Sequence, residues 1–76
     1  MKIIENSECQ TAFGDYIKNA REGKNLTQTE VAEQLGIGQS YYSRIENGTR
    51  NLDFVVAIKI CAILELDIQT FIARYL

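Results

Sequence analysis

Histidine and proline are absent from this 76-residue chain, and cysteine occurs only twice, at Cys9 and Cys61. Without histidine there is no imidazole base and no His-containing zinc set, and two cysteines far apart in sequence argue against a disulfide framework. No metal or cofactor is expected. No nucleophile–base pair, phosphate loop or metal-ligand cluster points to an enzyme. Basic residues are scarce as well: eight Lys and Arg face ten Asp and Glu, for a net charge of −2. Taken alone, that balance argues mildly against a polyanionic partner. No apolar run is long enough to span a membrane, and Met1–Gln10 carries charges early, unlike a signal peptide. The expected compartment is the cytoplasm. A chain this short holds one core, which rarely supplies more than ~3–5 kcal/mol without a staple. With metal and disulfides removed, association with a second copy is the staple left.

What remains favours helices, since prolines are missing and glycines number five. Residues 1–9 read as an N-terminal arm and 10–76 as the folded domain. From Gln10 to Glu22, Phe13, Ile17 and Ala20 recur at helical spacing, with Tyr16 beside them and Gly23 as the stop. Thr27-Gln28-Thr29-Glu30 is a capping box, in which Thr27 accepts from the Glu30 amide while Glu30 reaches back. The helix it opens buries Val31, Ala32 and Leu35 and ends at Gly36, a residue suited to a left-handed cap. A short helix over Gln39–Asn47 turns Tyr42 and Ile45 inward. Asp53 caps Phe54–Leu64, whose nearly all-round apolarity predicts burial on more than one side. Asp67 caps Ile68–Tyr75. The expectation is an all-α, compact five-helix bundle.

Its middle section has the requirements of a helix-turn-helix. Ala32 is small where two helices cross, Gly36 tolerates positive φ in the turn, and Val31, Leu35, Ile37, Tyr42 and Ile45 fix the crossing. The outer side of the second helix carries Gln39, Ser40, Ser43 and Arg44, types that hydrogen-bond base edges. Arg44 is the sharpest candidate, against the plainer reading of a solvated surface arginine. Positive charge also collects here. Residues 18–51 hold five basic residues against four acidic ones, whereas the flanking segments are net acidic.

The string Leu26–Gly48, LTQTEVAEQLGIGQSYYSRIENG, resembles the Cro/cI-type (XRE) helix-turn-helix family, and the five-helix layout extends the likeness across Phe13–Phe71. The resemblance implies a lambda repressor-like fold and a double-stranded DNA operator as partner. Within the family, Ser40-Tyr41-Tyr42-Ser43, Ile45-Glu46 and Arg50-Asn51-Leu52 are most similar to restriction–modification controller proteins. Gln39 stands where many controllers have Arg, and Gly38 where the family often has a hydroxyl cap. The resemblance implies base contacts from Gln39, Ser40, Ser43 and Arg44. It implies a phosphate contact from Gln28 and a structural ion pair between Arg21 and Glu46. By position, Tyr41 is expected to point toward the DNA backbone or the rim, and Asn47, Arg50 and Asn51, which follow the second helix, are expected to meet phosphates.

The expected function is a sequence-specific transcriptional regulator acting as a homodimer on a pseudo-palindromic operator. Leu52, Phe54, Ile68, Phe71 and Ile72 are the expected interface, because the last helix is too apolar for a single inward face. RNA polymerase stands as a candidate further partner, and no membrane or metal partner is expected. The rival reading is an antitoxin or anti-regulator whose apolar C-terminal face grips a different protein. Cys61 is expected in the core and Cys9 in the arm.

Overall fold

The computed structural model describes residues 4–76, and Met1–Ile3 of the expected arm lie outside the described residues. Five helices follow one another: α1 (Asn6–Gly23), α2 (Gln28–Leu35), α3 (Gln39–Glu46), α4 (Phe54–Ile63) and α5 (Ile68–Tyr75). There is no strand among the described residues. The first helix starts at Asn6, four residues earlier than the apolar periodicity indicates. Glu5 sits in an extended N-cap conformation and Glu8 lies in the first turn, where a carboxylate suits the positive helix end. Cys9 is thus helical and half-buried rather than part of a loose arm.

The core draws on every helix: Phe13 and Ile17 from α1, Val31, Ala32 and Leu35 from α2, Tyr42 and Ile45 from α3, Ile60 from α4 with Leu64 just beyond it, and Phe71 from α5. Phe71 meets Phe13 edge-on with ring centroids 5.4 Å apart, and Tyr16 and Tyr75 pack on its other sides. The Tyr16 hydroxyl donates to the Asp67 carbonyl at 3.1 Å, tying α1 to the start of α5. Phe71 is therefore interior, and its expected place in an interface is corrected. The α5 register turns it toward Phe13, while Ile68 and Ile72 stay exposed.

Helix α4 departs from expectation in the opposite sense. Ile60 is its one buried residue, and Phe54, Val55 and Ile58 are more than half exposed. An all-round apolar sequence has no phase, so it does not reveal which side the rest of the chain covers. Cys61, expected in the core, is half-buried.

The helix starts follow side-chain caps. Thr27 and Glu30 form the full capping box, and Asp53 and Asp67 accept from the first-turn amides of α4 and α5. The first four helix ends share one pattern. Leu26 N–H returns to the Arg21 carbonyl, Ile37 to Ala32, Thr49 to Arg44 and Leu66 to Cys61, each with a bond of shorter sequence span nested inside it. This is the Schellman motif, which places the residue before the returning amide in the left-handed region. Gly36 and Gly48 occupy that position in two cases, but Asn25 and Glu65 occupy it in the others, with φ of 58° and 55°. Gly23 is thus inside α1 rather than its stop. The two non-glycine corners touch, since Lys24 Nζ lies 3.0 Å from Glu65 Oε1.

Helix α1 lies against the C-terminal end of α3 at Gly14. A Cβ added there would overlap the Glu46 carbonyl oxygen and lie 2.8 Å from that of Ile45. The glycine is a requirement of that close approach. Gly14→Ala is expected to cost about 1–3 kcal/mol by forcing the helices apart. Gly23→Ala, where an added methyl meets nothing within 4 Å, is expected to gain roughly 0.5 kcal/mol from helix propensity. Urea midpoints of the two variants check the contrast.

Candidate nucleic-acid interface

Helices α2 and α3 pack through Val31, Ala32, Leu35, Tyr42 and Ile45, so the opposite side of α3 faces solvent. Gln39, Ser40 and Arg44 are exposed along that side, and Ser43 is half-buried at its edge. With side chains an α-helix such as α3 is about 10–12 Å across, which fits a major groove about 12 Å wide. Beyond α3, Asn47, Arg50 and Asn51 are exposed. The Arg50 guanidinium lies over the Tyr41 ring, 4.8 Å from its centroid, so these two side chains hold one another at the flank of α3.

Behind this surface is a polar network. Arg21 donates to both carboxylate oxygens of Glu46, Nε at 2.6 Å and Nη2 at 3.1 Å, and its Nη1 donates to the Leu26 carbonyl at 2.8 Å. Both side chains are at least nine-tenths buried. Gln28 Nε2 adds a third donor to Glu46 at 3.0 Å, and its oxygen accepts a long bond from Gln39 Nε2 at 3.4 Å. The Gln28 amide, an expected phosphate contact, is thus oriented from within the protein, with one N–H given to Glu46 and the second N–H of Nε2 left over. At the α2 N-terminus the first-turn N–H groups of Gln28 and Thr29 have no intrahelical acceptors.

Burial alone raises the Glu46 pKa. The Arg21 guanidinium, the adjacent Tyr42 hydroxyl and the Gln28 amide outweigh it, so the carboxyl sits below its ordinary value. The Tyr42 hydroxyl is buried against this carboxylate without forming a hydrogen bond of ordinary geometry. Burial and the neighbouring negative charge push its pKa well up and keep it protonated.

Some residues that shape the surface have no signal in the helix-turn-helix pattern. Gln10 Nε2 of α1 donates to Asn51 Oδ1 at 2.6 Å. Thr11 backs Gly48, where an added Cβ would lie 2.7 Å from the Thr11 Cα. Gly14 did carry a readable sign, since glycine inside a helical pattern needs a packing reason.

The helix-turn-helix family profile matches residues 17–71. The chain belongs to this family. It is a DNA-binding transcriptional regulator of the XRE type. The regulator is 43% identical over 56 residues to the uncharacterized HTH-type transcriptional regulator YqaF of Bacillus subtilis, covering 74% of each chain. It is 36% identical over 64 residues to the control protein C.MunI of a Mycoplasma species, covering 83% of this chain and 86% of that one. Among solved structures, the restriction–modification controller protein C.AhdI from Aeromonas hydrophila superposes with a TM-score of 0.74 at 27% identity, over 82% of this chain and 94% of that one. The clp gene regulator ClgR from Corynebacterium glutamicum shares the fold, with a TM-score of 0.79 at 22% identity over 86% of this chain and 69% of that one.

Removing one side of the buried pair leaves the other charge desolvated. Arg21→Met and Glu46→Gln are each expected to destabilise the regulator by about 3–5 kcal/mol, with the double variant less unstable than the sum. Because the folded-state pKa of Glu46 lies below its unfolded value, its contribution is complete above the unfolded pKa and is lost as pH falls through the folded one. Wild-type stability is thus expected to fall steeply below about pH 4, and Glu46→Gln to flatten that slope. Denaturant midpoints between pH 3 and pH 7 measure both effects.

Proposed function

We propose that the chain is a sequence-specific double-stranded-DNA regulator that acts as a homodimer on a pseudo-palindromic operator, in the manner of a restriction–modification controller protein. One electrostatic observation carries the reading. Glu46 is the sole acidic residue between Glu33 and Asp53, and it is buried and neutralised by Arg21. The exposed surface of that whole segment therefore carries Arg44 and Arg50 and no carboxylate. An acidic protein thus presents a locally cationic, hydrogen-bonding edge around α3. The overall charge of −2 weakens non-specific attraction and leaves affinity dependent on the right bases.

In this reading Gln39, Ser40, Ser43 and Arg44 meet base edges. Tyr41, Asn47, Arg50 and Asn51 meet phosphate together with the α2 N-terminus. The similarity to C.MunI across most of both chains supports the controller role.

The dimer reading rests on an apolar face. Phe54, Val55 and Ile58 of α4 and Ile68 and Ile72 of α5 are exposed, and a groove lined by Phe54, Ala57, Ile58, Cys61, Leu66 and Ile68 runs between them. Leu52 is half-buried near its edge. A patch of this kind is expensive to leave in water on so small a protein. An isologous contact through it sets the distance between two α3 helices, which must be about 34 Å for half-sites one helical turn apart.

Arg44→Ala is expected to lower operator affinity by about 1–3 kcal/mol and relax preference at one base pair per half-site. Titrations on operator variants test this, and an equal loss on every sequence would reassign Arg44 to phosphate. Wild-type protein is expected to sediment as a dimer at micromolar concentration and Phe54→Asp as a folded monomer with weakened operator binding. A wild type that remains monomeric and instead co-purifies with a different protein would favour the antitoxin or anti-regulator reading.

A further inference from the structure

The first half of α1 lies outside the segment that the family profile matches, which begins at residue 17. It nevertheless follows the chain from Ile45 to Asn51 step by step. Gly14 lies against the carbonyls of Ile45 and Glu46, Thr11 against Gly48, and Gln10 bonds to Asn51. These three α1 residues are spaced one helical turn or one position apart and share a face. Gln10 also lines one cleft together with Arg50 and Leu52, the residues on either side of Asn51 in sequence.

We infer that Gln10 is a positioning residue for DNA binding: it holds the Asn51 side chain and the Arg50–Leu52 loop in the conformation that meets phosphate, without touching DNA itself. The physical need is plain from what else holds this loop. Asn51 is exposed and outside any helix, and its neighbour Arg50 is fixed through the Tyr41 ring. The loop's own backbone supplies no regular hydrogen bonds between Arg50 and Leu52. With Asn51 Oδ1 accepting from Gln10, the Asn51 amide nitrogen is the part left to donate outward. The Gln10 bond therefore both limits the rotamers of Asn51 and orients its donor. This inference rests on the phosphate-contact reading of Asn51.

The test compares Gln10→Met, Asn51→Ala and the double variant in titrations on a duplex that the wild type selects from a random-sequence pool, with denaturant midpoints and NMR order parameters of the free protein alongside. Methionine keeps the length and helix propensity of Gln10 and removes its hydrogen-bonding amide. Gln10→Met is expected to weaken binding to that duplex about three- to tenfold, the worth of one hydrogen bond. Order parameters of the Asn51 side-chain amide and of the backbone at residues 50–52 should fall while the helices and the denaturant midpoint stay unchanged. In the Asn51→Ala background, the same change should have no further effect on affinity. Additive losses, or unchanged order parameters at residues 50–52, would overturn the inference. If Asn51→Ala leaves affinity intact while Arg44→Ala reduces it, the inference falls and the DNA-binding reading stands. A wild type that selects no DNA sequence overturns the reading itself, and with it the inference.

Discussion

Arg21 and Glu46 meet where three parts of the chain converge. The guanidinium joins α1 to the carboxylate at the end of α3 and to the carbonyl of Leu26 in the turn before α2, and Gln28 adds the first turn of α2 through Glu46 Oε1. A buried ion pair is weak evidence for stability when compared with a well-packed apolar substitute. Its value here is geometric. Guanidinium and carboxylate are planar and pair in few orientations, so the pair specifies the angle at which α3 leaves the body. It also removes a negative charge from the segment proposed to face DNA. Stability, orientation and electrostatics of the surface thus depend on one contact.

Much of the fold was legible because its signals are local. The capping box at Thr27–Glu30, the aspartates at 53 and 67 and the left-handed Gly36 act within about one helical turn, and the structure shows all of them as caps. The misplaced boundaries are those where the determining interaction has no characteristic residue. Asn25 and Glu65 take positive φ because returning hydrogen bonds close the helix there; asparagine is a known but weaker occupant of that position than glycine, and glutamate gives no sign of it. Phase was the other missing quantity. Ile68, Phe71 and Ile72 lie on neighbouring positions of one face, and only the edge-on contact with Phe13 decides that Phe71 is the inward one.

The surface was legible in a different way. Residue types on the outer side of α3 pointed to base recognition, and the structure leaves Gln39, Ser40 and Arg44 exposed on one side. The pairing of Arg21 with Glu46 spans 25 residues. No periodicity or spacing reveals such a contact, and the resemblance alone pointed to it. Gln28 shows the limit of reading by residue type. A glutamine at a helix start suits an anion, but the same amide also completes a buried carboxylate, a role that residue type does not reveal.

The face that α1 turns inward holds Gly14 beside the end of α3 and Arg21 beside Glu46. They are two turns apart on an 18-residue helix. Each added or deleted residue between them would rotate one contact by about 100° relative to the other. No rotamer change restores both. The helix therefore behaves as a key with two cuts: substitutions along its outer side are tolerated, whereas single-residue insertions between Gly14 and Arg21 are not. Length changes in the sequences of such regulators should fall outside the interval between the two contacts, leaving it constant.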